Sequence, residues 1–298
     1  MAATAKTDFC RDCPVGGQFN KADQTCSRPD PADGLPAACV GDWVDDKHAR
    51  LRKYIDISRA VRRKFLKPGS GATYIDLYCG PGRARIRQTN RIVDGSALVA
   101  AREAQATSTS FTDICIGDMN ASFVAATTQR LKAAGASVTP FTGAAEETVA
   151  DVARRLPVDG LHFSFLDPYD LATLPFAVIR TLSALQRMDI LVHVSVQDLQ
   201  RNLGRYMKNQ ESPLDGFAPG WRKVVTGQTT VGEYRRRVRE FWLGLIREQG
   251  LSTAEGVELV TGSKNQNLYW LIFAARHQLA LKFWDQIRNI SPQREIDF

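Results

Sequence analysis

The stretch Thr73-Tyr74-Ile75-Asp76-Leu77-Tyr78-Cys79-Gly80-Pro81-Gly82 decides the fold. Its first half is a short run of apolar and β-favouring residues, which predicts a strand. Its second half is a turn with two glycines, at Gly80 and Gly82, that bends sharply and lets a ligand approach the backbone. Asp76 stands four residues before the first glycine. A carboxylate there can accept hydrogen bonds from a ligand amine or hydroxyl. No Gly-Lys-Ser/Thr follows, which argues against a phosphate-cradling P-loop, and the glycine comes too soon after the Asp for a dinucleotide fingerprint. A strand running into such a loop suits a nucleotide-type cofactor. A tight turn at a strand end is the plainer alternative.

Working outward, the pattern alternates. Strand-like runs are expected at 73–78, 111–116, 138–141, 161–166 and 190–196, and helix-like runs at 96–104, 121–134, 146–155 and 176–186. Strict alternation predicts an α/β fold with a mostly parallel sheet and helices on both faces. Upstream, Leu51, Tyr54, Ile55, Ser58, Val61 and Phe65 recur at helical spacing, so one helix is expected from Trp43 to Phe65, ended by Pro68-Gly69. Downstream, residues 200–230 carry little pattern and read as an insertion. A long helix follows, with Val231, Tyr234, Val238, Phe241, Trp242, Leu245 and Ile246 on one face. Runs at 256–260 and 267–275 are joined by a short turn and must pair antiparallel, because a parallel crossover needs a dozen or more residues. The division expected is a Cys-rich extension over 1–42 and one α/β domain over 43–298.

The chain has 298 residues, 44% hydrophobic and 24% charged, ordinary values for a globular protein with a real core. No run of 18 apolar residues and no apolar leader core occurs, so a cytoplasmic protein without membrane association is expected. The net charge is +7 and unevenly placed. From Lys47 to Arg91, thirteen Lys and Arg face only Asp56 and Asp76, so that segment carries +11 and the remainder −4. Such a concentration suits a phosphate-rich partner, DNA or RNA, and equally a solvated basic helix. Arg83, Arg85 and Arg87 alternate after the glycine loop, so an extended segment would point their guanidinium groups to one side as a phosphate-binding row.

A series of motifs in order carries a resemblance. It runs Gly41-x-Trp43-x-x-x-Lys47, Leu51-x-x-Tyr54, Tyr74-Ile75-Asp76-x-x-x-Gly80-Pro81-Gly82, Ile92-Val93-Asp94-Gly95-Ser96 and Phe165-Leu166-Asp167-Pro168-Tyr169. Over about 33–200 the chain resembles the three-Cys-motif partner (TcmP) family, which looks like class I S-adenosylmethionine-dependent methyltransferases and occurs beside a radical-SAM-like protein. The resemblance implies the class I methyltransferase (Rossmann-like) sheet with a C-terminal antiparallel hairpin. It also implies S-adenosylmethionine as cofactor and a radical-SAM-like partner protein. Asp76, with the backbone of Tyr78, Gly80, Pro81 and Gly82, would hold the amino-acid end of the cofactor. Asp118 would accept the ribose hydroxyls and Met119 would pack on the adenine; capping of the next helix is the other role for Asp118. After the third strand, relatives place an Asp where this chain has Ala144, so either backbone would serve there or adenine recognition would be weakened. Asp167-Pro168-Tyr169 resembles the Asp-Pro-Pro-Tyr motif of amino-group methyltransferases, with one Pro fewer. There the Asp orients the target nitrogen and the ring stacks on a base.

Cys10, Cys13, Cys26 and Cys39 lie in a segment poor in apolar residues, where a structural zinc would replace the missing core. An iron–sulfur cluster and unpaired thiols are the alternatives. Cys79 and Cys115 sit in or beside strands and read as small buried hydrophobes. The four histidines are scattered and suggest no metal triad. Three functions remain. The first is N-methylation of a nucleic acid or similar substrate. The second is a non-catalytic methyltransferase-fold partner of a radical-SAM-like protein. The third is a peptide or small-molecule methyltransferase.

Overall fold

The computed structural model describes residue 10 and residues 13–225, 230–254, 258–261 and 267–288. The chain forms two compact units, Met1–Ala144 and Ala145–Phe298. This differs from the division expected after residue 42, because the N-terminal segment is fastened into the first unit by hydrogen bonds and ion pairs rather than hanging from it.

The first unit runs β1 (Ala38–Val40), α1 (Val44–Ile57), α2 (Arg59–Arg63), β2 (Ala72–Asp76), β3 (Arg83–Ile86), β4 (Ile92–Asp94), α3 (Ser96–Ala106), β5 (Asp113–Asp118), α4 (Ala121–Ala133) and β6 (Val138–Thr142). β2, β5 and β6 pair in parallel, with Ile75 opposite Cys115 and Ile116 opposite Pro140. Every residue of β2 is buried, as in a strand covered on both faces. α1 buries Val44, Lys47, His48, Leu51, Tyr54 and Ile55, and Asp45 and Asp46 lie in its first turn, where the helix dipole favours acids. The single helix expected to Phe65 is broken at Ser58 into α1 and α2. Ser58 turns its hydroxyl onto the Ile55 carbonyl and receives the Arg62 guanidinium. A second, three-stranded sheet sets β3 between β1, parallel, and β4, antiparallel.

The second unit runs α5 (Ala145–Arg155), β7 (Leu161–Leu166), α6 (Phe176–Ser183), β8 (Met188–Ser195), α7 (Val196–Lys208), α8 (Pro213–Phe217), a 3-10 turn (Trp221–Lys223), α9 (Val231–Glu248), β9 (Ser252–Thr253), β10 (Glu258–Thr261), β11 (Asn267–Ala275) and α10 (Gln278–Arg288). β7 and β8 are parallel; β11 runs antiparallel to β8 and to β10, so the hairpin is reversed as its short connection requires. The turn joining β10 to β11 lies outside the described residues. The expected insertion is more ordered than its composition suggests. α7 buries Val196, Leu199, Leu203 and Tyr206, a stripe interrupted by charged residues on the other face, and Ser212 caps α8 in a reciprocal box with Asp215. The architecture is α/β and Rossmann-like, with parallel strands alternating with helices and an antiparallel end. Among the described residues, no helix is long and apolar enough to cross a membrane.

Candidate active site

The glycine loop sits at the carboxyl end of β2 and is wired from beneath. Asp76 has no exposed surface; its Oδ1 accepts the Tyr78 N–H at 3.2 Å and its Oδ2 accepts the Ser96 hydroxyl at 2.5 Å. Asp76 therefore holds the loop to the start of α3. The three loop carbonyls are also engaged. Gly80 O accepts the Thr127 hydroxyl at 2.7 Å, Pro81 O accepts Arg130 Nη1, and Gly82 O accepts the Gly95 N–H at 2.7 Å. Gly82 has φ +81°, and a Cβ there would lie 2.7 Å from Thr127 Oγ1, so the loop passes α4 closely enough to demand glycine. Gly80, at φ +53°, has nothing within 4 Å of where its Cβ would stand, so that side of the loop is open.

Asp118 ends β5 beside this opening. Its Oδ2 accepts the Gly80 N–H at 3.1 Å and its Oδ1 accepts the Asn120 N–H at 2.9 Å. A carboxylate has about four acceptor sites, so two remain for ligand hydroxyls. Burial pushes the Asp118 carboxyl above its ordinary 3.8, and the two backbone donors oppose that. The helix after it is capped by Asn120, not by Asp118, which removes the capping role as the reason for the acid. Met119 is 71% exposed, an apolar side chain held out beside that carboxylate. Gly143 donates its N–H to the Asp118 carbonyl at 3.1 Å and so ties the third strand's loop to the second. Ala144 follows it, with no side-chain acceptor to offer. These residues fit a cofactor carrying a vicinal diol and a flat apolar ring.

Arg83, Arg85 and Arg87 alternate along and just beyond β3, as expected, but their guanidinium groups are engaged with the N-terminal segment. Arg83 pairs with Asp30 at 2.6 Å and Asp94 at 3.4 Å. Arg85 is buried and donates to Pro29 O at 3.1 Å. Arg87 donates to Cys39 O at 3.3 Å and lies over the rings of Phe19 and Trp43. The expectation of an open phosphate-binding row is corrected: a guanidinium inside a seam is taken up by the carboxylates and carbonyls there. The exposed cations of the basic stretch are Arg52 on α1, Arg59 and Arg63 on α2, Lys64 and Lys67 just after it, and Arg91 before β4; of these Arg59 pairs with Asp56 and Arg91 with Asp45.

In the second unit, Asp167-Pro168-Tyr169 follows the carboxyl end of β7. Pro168 is buried and Tyr169 is 66% exposed. The chain leaving the motif is pinned where the Leu171 N–H donates to Asp198 Oδ2 at 3.2 Å. Asp198 also accepts from Asn202 and from the Tyr206 hydroxyl. Asp167 Oδ1 stands 3.3 Å from His193 Nδ1 on β8, a neighbour the scattered histidines of the sequence do not reveal.

Cys10, Cys13, Cys26 and Cys39 line one small cavity together with Arg85 and Arg87. The Phe19 N–H donates to Cys10 Sγ at 3.1 Å. Burial pushes the Cys39 thiol up, opposed by Arg87. Among the described residues, no group of three or more His, Cys, Asp or Glu is arranged to hold a metal ion. Cys79 and Cys115 are buried, as expected of small core residues.

No family model and no curated protein matches the chain. The resemblance to the three-Cys-motif partner family accordingly rests on its motifs. Among solved structures, the chain is similar to cofactor-bound Rv0187 from MTB at 16% identity and TM-score 0.46, covering 83% of this chain and 85% of that one. It is similar to the methyltransferase domain of bacterial CtHen1-C at 13% identity and TM-score 0.42, covering 78% and 99%. It is also similar to a precorrin 8W decarboxylase from Methanobacterium thermoautotrophicum at 12% identity and TM-score 0.33, covering 74% and 89%. At such values the α/β class of the chain stands on its own strand order and register.

Proposed function

We propose that the chain is an S-adenosylmethionine-dependent methyltransferase acting on a nitrogen of a nucleic acid or a nucleic-acid-like substrate. The observation that carries it is the first unit's loop: an open face at Gly80, a half-engaged carboxylate at Asp118 and an exposed Met119 beside it. Asp118 accepts the ribose hydroxyls, Met119 covers the adenine, and the loop backbone receives the amino-acid end. S-adenosylmethionine bound there would supply an electrophilic methyl group and leave as S-adenosylhomocysteine, with the surplus proton of the methylated nitrogen passing to water. Asp167, in the second unit, accepts an N–H of the amine, and Tyr169 offers a face to the base. Isothermal titration with S-adenosylmethionine and S-adenosylhomocysteine tests the cofactor half. Transfer of radiolabelled methyl to DNA, RNA or peptide tests the substrate half. Absence of cofactor binding overturns the enzyme reading.

A second reading has one observation in its favour. Ala144 stands where relatives carry an acid, which suits a methyltransferase fold that serves as a binding partner of a radical-SAM-like protein without transferring methyl itself. Cofactor bound with no transfer to any of the three substrate classes, together with co-purification of such a protein, would select it.

We propose also that the four thiols of the N-terminal segment take a zinc ion. Their common cavity supports this, with the N–H donor on Cys10 and two guanidinium groups to balance thiolate charge. Closing them on an ion requires side-chain rotation.

A further inference from the structure

β7 and β8 are parallel, and their register sets Phe165 beside Leu191 and Leu166 beside Val192. Continuing that register brings Asp167 alongside His193. The two side chains meet at 3.3 Å, Nδ1 to Oδ1, with His193 13% and Asp167 22% exposed. Across the sheet, β11 supplies the other wall. The His193 ring packs on the Tyr269 ring with centroids 4.3 Å apart and planes at 53°, and Tyr269 is 1% exposed. The imidazole is held between a buried aromatic ring and the one carboxylate of the Asp-Pro-Tyr motif.

We infer that His193 is a positioning residue for Asp167. The 3.3 Å contact is an ion-pair distance whose angle falls short of a hydrogen bond, and a small rotation of the ring, with its proton on Nδ1, lets it donate to Asp167 Oδ1 and fix the rotation of the carboxylate that faces a substrate amine. Tyr269 sets the plane of the imidazole, and the bond from Leu171 to Asp198 holds the backbone that follows the motif. A carboxylate held in one orientation aims an amine lone pair in one direction, and small misplacements of a reacting group are costly. The motif has one Pro fewer than the Asp-Pro-Pro-Tyr pattern that it resembles. A side chain from the neighbouring strand supplies the rigidity. This assignment rests on the reading of Asp167 as the amine-orienting group.

His193→Phe keeps a ring against Tyr269 and removes the donor. His193→Asn places an amide N–H near the position of Nδ1. The assay is radiolabelled methyl transfer to a mixed-sequence single-stranded oligonucleotide, with cofactor affinity measured by calorimetry on the same proteins. His193→Phe should lower kcat by about a hundredfold with cofactor affinity unchanged, and His193→Asn should recover most of the loss. Equal turnover by His193→Phe and wild type would overturn the inference, as would a loss that His193→Asn does not relieve. Nitrogen-15 spectra of the wild-type imidazole keep the pair separable from the methyltransferase reading. A proton on Nδ1 that Asp167→Asn displaces supports the pair even if no oligonucleotide is methylated. A proton on Nε2 alone, unmoved by Asp167→Asn, sinks it.

Discussion

Asp118 shows what one side chain contributes at the carboxyl end of a strand. It closes the glycine loop through Gly80 and keeps acceptor capacity in reserve. Asp118→Ala should weaken S-adenosylmethionine binding by about 1–3 kcal/mol, the cost of leaving donors without an acceptor, measured by calorimetry. The pH dependence has a definite sign. Because burial raises this carboxyl above 3.8, the folded chain without cofactor favours the protonated form, and stability declines as pH rises from 3.8 through the raised value. Ribose hydroxyls donate to the ionised form, so cofactor affinity should grow over that same window, and Asp118→Ala should lose that growth.

Among the elements, α4 couples the glycine loop to the N-terminal segment. Arg130 lies near the end of α4 with its side chain 5% exposed. It makes a two-pronged pair with Asp33 at 2.7 and 2.8 Å and donates to Pro36 O and Pro81 O. Arg130→Met should destabilise the fold by about 3 kcal/mol, since the buried Asp30 carboxylate and the Pro36 and Pro81 carbonyls would lose the donor that they share. The guanidinium beside Asp33 holds its carboxyl below 3.8. A depressed carboxyl contributes stability above the unfolded value and loses it as pH falls through the folded value. The difference in melting temperature between wild type and Arg130→Met should therefore shrink as pH drops below 3.8. α2 is anchored in a comparable way. Arg62 is 2% exposed and donates to Thr109 O, Thr109 Oγ1 and Ile55 O, and burial lowers its pKa to about 10. A cation that reads as part of a basic surface is in fact structural.

For the molecule as a whole, two expectations concern what it binds. Elemental analysis of the reduced protein should find about one zinc per chain, and Cys26→Ser with Cys39→Ser should lower that content together with the melting temperature. Much less than one zinc in the wild type would leave the cavity as a cluster of free thiols. If the exposed cations of α1, α2 and the residue stretch after them serve nucleic acid, binding should weaken steeply as salt rises. Replacing Arg52, Arg63, Lys64 and Lys67 together with Gln should flatten that salt dependence by up to about four phosphate contacts and weaken different sequences alike. A gel-shift titration at two salt concentrations reads both. Failure to bind at low salt would favour the peptide, small-molecule or protein-partner readings.

The alternation of strands and helices, the glycine loop at 80–82 and the reversed hairpin over β10 and β11 were legible in the sequence, because periodicity, glycine and short connections act within a few residues. Asp118 at a strand end and Asp167-Pro168-Tyr169 after the fourth strand of the alternation were legible for the same reason. Partnership across long stretches of chain was not. Arg83, Arg85 and Arg87 alternate as an open cationic row would, yet Phe19, Pro29, Asp30 and Cys39, far from them in sequence, take up their guanidinium groups. His193 lies 26 positions from Asp167, and only the parallel register of β7 and β8 makes them neighbours. Local pattern therefore determined which elements form and where the glycine loop falls. Which charges stay in water, and which side chain steadies the Asp-Pro-Tyr motif, were decided by tertiary structure, because burial and ion pairing depend on what packs alongside rather than on what comes next in the chain.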